Sequence, residues 1–183
     1  MSEFGVYSEV GRLRKVMVHR PELRLRRLTP SNKDELLFDD VLWVDRAQQQ
    51  HDDFVALMRQ EGVEVLYHQD LLAGALAQPG ARESAVGRAV SALTVGPSMV
   101  QDVRQRLLAD SPEELAAHRI GGVTKAEVEG IDLEAAERRS LTAAAVDGGH
   151  FVLPPLPNTL FQRDACWRSR ARSWARAGAG AIA

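Results

Sequence analysis

The chain is short of thiols, of aromatic rings and of unbalanced charge. Its single cysteine, Cys166, excludes an intramolecular disulfide and a Cys-rich metal site. Aromatic residues make up only 5% of the sequence and the net charge is −2, so no global field draws the chain to nucleic acid or to an anionic membrane. No apolar run reaches the length of a membrane span. None of the five histidines stands at metal-ligand spacing from another, and no His-Glu-x-x-His occurs. The opening Met1-Ser2-Glu3-Phe4-Gly5 has no basic stretch followed by an apolar one. No secretory signal is visible, and a cytoplasmic location is the expectation. There is no fixed-period repeat. What is present is ordinary for a soluble globular chain: 183 residues, 45% apolar and 26% charged, enough for one domain with a respectable core, with or without an insert.

The pattern of apolar residues predicts an α/β start. Residues 14–20 alternate, with Val16 and Val18 on one face, and Pro21 ends that strand because proline donates nothing to a ladder. Residues 22–40 read as a long loop with Thr29-Pro30-Ser31-Asn32 as its turn, and long loops in compact domains are more often functional than accidental. Residues 47–61 predict a helix whose face carries Ala47, His51, Phe54, Val55 and Met58, stopped by Gly62 at C′. Residues 63–67 alternate as a second strand. Strand, helix and strand in sequence suggest an α/β unit.

From Asp70 to Gly149 the chain turns Ala-rich and helical, which predicts a bundle of short helices inserted into the α/β domain. Val100, Val103, Leu107 and Leu108 form a stripe. Ser111-Pro112-Glu113-Glu114 combines an N-cap, a proline at N1 and a glutamate at N3. Thr124-Lys125-Ala126-Glu127 is a second capping box, with Val123 and Val128 as its hydrophobic staple. Phe151-Val152-Leu153 reads as the return to a strand. The expected division is therefore 1–69, 70–149 and 150–164. Residues 165–183 form a tail of different composition, with Arg168, Arg170, Arg172 and Arg176, no acidic residue and no regular period, and are expected to be disordered.

The residues with most chemical promise lie in Leu153-Pro154-Pro155-Leu156-Pro157-Asn158-Thr159-Leu160-Phe161-Gln162-Arg163-Asp164. Three prolines stiffen a backbone carrying an amide, a ring and a carboxylate. A carboxylate matches a guanidinium through two parallel charge-assisted bonds, a ring covers its flat face, and an amide orients a polar tail. The same spacing also fits a Pro-rich turn with Asp164 as a cap and Phe161 in the core. The Leu36-Leu37-Phe38-Asp39-Asp40 loop, following Arg24, Arg26 and Arg27, fits a lid over a pocket. Taken by itself it fits better a surface loop with an apolar anchor and a solvated basic face. His51 on the apolar helix face reads as a satisfied packing residue. His19 and His68 fall at strand ends. Cys166 beside Trp167 has no histidine partner that spacing identifies.

Three blocks resemble the arginine deiminases: Gly5-Val6-Tyr7-Ser8-Glu9-Val10-Gly11-Arg12-Leu13-Arg14-Lys15-Val16, then residues 27–44, which include Ser31-Asn32-Lys33-Asp34-Glu35-Leu36-Leu37-Phe38-Asp39-Asp40, and then residues 156–164. They occur in the family's order and cover about Gly5 to Asp164. The resemblance implies a pentein fold, here a partial α/β propeller comprising the first blade and the start of the next, with the family's helical insert between. It implies hydrolysis of L-arginine to L-citrulline and ammonia through a covalent cysteine intermediate, without metal or organic cofactor. By position Asp164 resembles the first of two guanidinium-holding aspartates and is the catalytic candidate. Asn158 and Phe161 resemble substrate-binding residues, and Leu37 resembles one that closes over bound arginine.

After Asp164-Ala165-Cys166-Trp167 the likeness stops. The family's catalytic cysteine and His-x-Asp motif have no counterpart in these residues, and Cys166 matches a non-catalytic position. The expectation is an inactive fragment, from a truncated or frameshifted reading frame, with open sheet edges that favour a homo-oligomer. L-arginine is the expected partner, with no nucleic acid and no membrane. The alternative is a non-catalytic fragment that binds arginine or packs against a partner. A related amidinotransferase fits the Ser31–Asp40 block less well, and the basic tail supports only non-specific attraction to RNA.

Overall fold

The computed structural model describes residues 10–97, 99–128, 149–156 and 159. Among them the fold is mixed α/β, built from helices and two small sheets with no closed barrel. Strand β1 (Lys15–Val18) and strand β2 (Glu64–Tyr67) pair in parallel, with Val16 opposite Val65 and Val18 opposite Tyr67. A 2.9 Å ion pair from Lys15 to Glu64 closes the first rung. Parallel pairing requires a crossover, which helix α2 (Val44–Gln60) supplies.

Helix α2 begins three residues earlier than the periodicity predicts. It buries Val44 and Val55 and half-buries Ala47, His51 and Met58. Phe54 does not join that face and is 57% exposed, beside an exposed Leu57. Gly62 ends the helix as expected. At φ 75° it donates to Arg59 O, and Val63 donates to Met58 O, both at 3.0 Å. These are the two bonds of a Schellman stop. The predicted loop at 22–40 contains a short helix, α1 (Leu23–Arg26).

Beyond β2 come α3 (His68–Leu76), α4 (Ala81–Ala89), α5 (Ala92–Val95), α6 (Val100–Ala109) and α7 (Pro112–Gly121). Strand β3 (Val123–Thr124), helix α8 (Lys125–Val128) and strand β4 (Phe151–Leu153) follow. The larger core lies here, around Leu76, Val86, Val90, Val103, Leu107, Leu115, Val123, Val128 and Leu153. Val103 and Leu107 are fully buried as their stripe predicts, whereas Leu108 turns outward. Ser111 caps α7 reciprocally, donating its N–H to Glu114 Oε2 (2.9 Å) and accepting from Glu114 N (3.2 Å). The Thr124 box is one-sided. Its N–H donates to Glu127 Oε2 (2.8 Å), but its hydroxyl donates to that same oxygen (3.0 Å). Val123 and Val128 share the core, as a staple requires. Strand β4 pairs antiparallel with β3, Val123 opposite Leu153, so the chain returns against the helical region.

Candidate guanidinium site

Two loops carry the candidate residues, and the second of them reaches His19, just past the carboxyl end of β1, the edge at which open α/β sheets present ligand-binding residues. The first is residues 27–40. Asn32 closes it, its amide donating to Arg27 O (2.9 Å) while its Oδ1 accepts from Thr29 N (2.8 Å). Lys33 Nζ donates to the Asp34 carboxylate and to Asp39 O, each at 2.9 Å. Leu36 anchors the loop in a small core with Leu25, Leu28 and Val44. Leu37 faces outward, 77% exposed, at φ 63°. Left-handed backbone is uncommon for a bulky side chain, and it turns Leu37 away from the anchor that Leu36 provides.

The basic residues before this loop do not make a solvated face. Arg24 is buried. Its guanidinium lies 4.7 Å from the centre of the Phe38 ring and donates to Leu36 O at 3.4 Å. Arg27 reaches away from the loop tip. It donates to Gly121 O (2.7 Å), to Gly122 O and to the Glu127 carboxylate, and lies 5.9 Å from the Phe151 ring centre. Of the three, Arg26 alone is exposed, pairing with Asp45 at 2.8 Å.

The second loop follows β4. Leu156 N donates to Ile120 O at 3.1 Å. Thr159 O accepts from His19 Nδ1 at 2.5 Å. A carbonyl only accepts, so Nδ1 carries the proton. His19 and His68, each just past a strand, stack obliquely with ring centres 5.4 Å apart. They stand beside a small pocket lined by His19, Arg24, Gln69, Ile120 and Gly121. Neither histidine stood out in the sequence. The one available signal was position, since both follow parallel strands at their carboxyl ends. His51 does not match its reading as a satisfied residue. It lies 6.1 Å from the Tyr67 ring centre, and its Nδ1 has no hydrogen bond, with Asp52 Oδ1 3.6 Å away.

Of the sequence-predicted site residues, Leu37 is placed as above. Asn158, Phe161 and Asp164, with Cys166, lie outside the described residues. Among the described residues no group of three or more His, Cys, Asp or Glu is arranged to hold a metal ion, and no helix is long and apolar enough to cross a membrane.

Burial pushes the His19 imidazole down to about 4, although its bond to Thr159 opposes the shift and His68, Arg24 and His51 reinforce it. Burial lowers His68 as well. Folded His19 thus binds fewer protons than unfolded His19 between about pH 6.5 and pH 4, and stability falls as pH drops through that window. The expected loss from His19 alone is about 3 kcal/mol by pH 4. Carboxylates held low by their partners, Asp52 by Arg20 and Glu114 by Ser111, act below that window, because their unfolded values lie near 4. Urea midpoints measured from pH 7 to pH 4.5 check this. A flat profile there would contradict the burial of a neutral His19.

The described residues thus hold a loop anchored by Leu36 with Leu37 turned outward, and a segment after β4 fastened through Thr159 to His19, just past the carboxyl end of β1. The arginine deiminase family model matches residues 34–170. The arginine deiminase of Rhodococcus erythropolis strain PR4 is 48% identical over 162 residues, covering 88% of this chain and 39% of that protein. Those of Rhodococcus opacus strain B4 and Rhodococcus jostii strain RHA1 are 45% and 44% identical over the same coverage. The chain belongs to the arginine deiminase family. It spans 39% of the length of the curated relatives it matches.

Proposed function

We propose that this chain carries the N-terminal share of an arginine deiminase site, the reaction being hydrolysis of L-arginine to L-citrulline and ammonia. In this reading residues 1–69 are the first blade of a pentein propeller, 70–149 its helical insert, and 150–164 the strand that brings guanidinium-binding residues to the pocket. Asp164 holds two guanidinium nitrogens and keeps the group planar for attack. Phe161 covers its face, Asn158 orients the amino-acid end, and Leu37 folds over the bound ligand. A cysteine thiolate attacks the guanidinium carbon, ammonia departs, and water releases citrulline. The observation that carries the reading is the family match over residues 34–170, a span that includes Leu37, Asn158, Phe161 and Asp164, and it is supported by the loop that turns Leu37 outward.

The 183 residues contain one thiol, Cys166, two positions past Asp164, and the resemblance matches it to a non-catalytic position. The polypeptide by itself is therefore expected to bind without turnover. The test is L-arginine calorimetry alongside a citrulline assay on residues 1–183. The expected result is a weak heat, abolished by Asp164→Asn, with no citrulline. Turnover would overturn the assignment of the nucleophile elsewhere, and absence of heat would overturn the site. The second reading, a partner-packing fragment, draws on the exposed Trp43, Phe54 and Leu57 around α2 and on a parallel sheet that has only two strands among the described residues. Concentration-dependent self-association without arginine heat would favour it, and a location in the cytoplasm agrees with either.

A further inference from the structure

Building on that reading, we propose that His19 is a positioning residue, fixing the backbone of the guanidinium-binding segment by its bond to Thr159. The two residues are 140 apart in sequence, so the contact fastens the segment to the first strand rather than to its own neighbourhood. In sequence Thr159 stands between Asn158 and Phe161, which makes its carbonyl a direct handle on the backbone that carries both.

The platform under His19 is rigid on both sides. Before it, Val18 pairs with Tyr67 in the parallel sheet. After it, Gln69 Nε2 donates to Arg20 O (2.9 Å) and Gln48 Nε2 donates to Pro21 O (2.7 Å). Arg20 itself holds Asp52 through two bonds, at 2.8 and 2.7 Å. An imidazole set in such a frame, 9% exposed, has little rotational freedom to lose when it donates.

Histidine suits the task chemically. A part-buried carbonyl gains from a donor, and an unmet acceptor costs free energy. Lysine or arginine would supply one only by burying another charge beside Arg24. A neutral imidazole donates through Nδ1 without doing so. The Thr159 hydroxyl donates to Leu156 O (3.3 Å), and Leu156 N is tied to Ile120. Among the described residues the segment is thus tied to α7 through Leu156 and to the chain just past β1 through His19.

The experiment compares residues 1–183 with His19→Ala and His19→Asn by amide hydrogen exchange at Leu156, with Val103 amide exchange as the control for global stability, and by the imidazole 15N spectrum. The proposal expects the proton on Nδ1 in the wild type. It expects Leu156 exchange to accelerate about tenfold in His19→Ala, the scale of one lost hydrogen bond, while Val103 changes less. His19→Asn, whose side-chain amide donates from the equivalent distance along the side chain, should restore slow exchange. A proton on Nε2, equal acceleration at Leu156 and Val103, or no rescue by asparagine would overturn it. L-arginine calorimetry runs in parallel. A wild-type heat that is weakened in His19→Ala and recovered in His19→Asn supports the role in binding. A wild type without heat overturns the arginine reading, and the exchange data still decide whether His19 holds the segment.

Discussion

Arg27→Ala is expected to destabilise the protein by about 3–5 kcal/mol, the cost of removing one partner of a buried pair. The Arg27 side chain is 10% exposed and its Glu127 partner 35%, so water screens the carboxylate side only in part. The guanidinium also satisfies the carbonyls of Gly121 and Gly122 at the end of α7, where a helix leaves acceptors without internal donors. Alanine would remove this donor from both carbonyls and from Glu127 Oε1 at once, while Glu127 Oε2 keeps its two bonds from Thr124. Lysine keeps the charge but not the fork, and cannot serve two carbonyls and a carboxylate from one nitrogen in the same geometry. Arg27→Lys should therefore recover less than half of the loss. The double variant Arg27→Met, Glu127→Gln, which removes both charges and keeps volume, should be more stable than Arg27→Ala. Urea denaturation reports all three. A loss below about 1 kcal/mol for Arg27→Ala would place the pair among solvent-screened ones.

Arg27 also marks where sequence reading stopped. Local signals were legible where the physics is local. Gly62 declares a helix stop because left-handed backbone favours glycine, and Ser111 declares a start because a hydroxyl and a carboxylate three residues apart satisfy each other's donors. Val103 and Leu107 follow from period alone. Phe54 and Leu108 fail because a helical period defines a stripe to within one residue on either side, and neighbours in space choose between Phe54 and Val55. Leu37 was reachable only through its family block, since nothing in Leu36-Leu37 says which leucine is anchored. The partners of Arg27 and His19 are set by chain returning from far away, and no spacing rule reaches from residue 27 to 127 or from 19 to 159. The βαβ unit itself was legible. The antiparallel pairing of β3 with β4 was not, because a two-residue strand after a helix has too few residues to show alternation.

Gly122→Ala should cost more than any other alanine at a glycine described in the fold, roughly 3–6 kcal/mol from strained backbone and forced packing together. Gly122 has φ 78° and ψ −179°, a region that essentially only glycine occupies. A methyl there would lie 2.6 Å from Leu153 O and 2.8 Å from Pro155 N. Both are backbone atoms, so neither can swing aside as a flexible side chain would. The clash would bear on the Val123–Leu153 pairing and on the residues that lead to Leu156 and Thr159, so amide protection at Leu156 should fall together with stability. Gly80→Ala is the discriminating comparison. Gly80 has a similar φ of 73°, yet a Cβ there meets nothing within 4 Å, so only the backbone penalty of about 1–2 kcal/mol applies. Urea midpoints for the two variants separate the effects. If Gly122→Ala costs no more than Gly80→Ala, the approach of β4 is not what requires glycine at 122. If it costs several-fold more, the missing side chain is what lets the end of α7 lie directly against the strand that leads to Leu156 and Thr159.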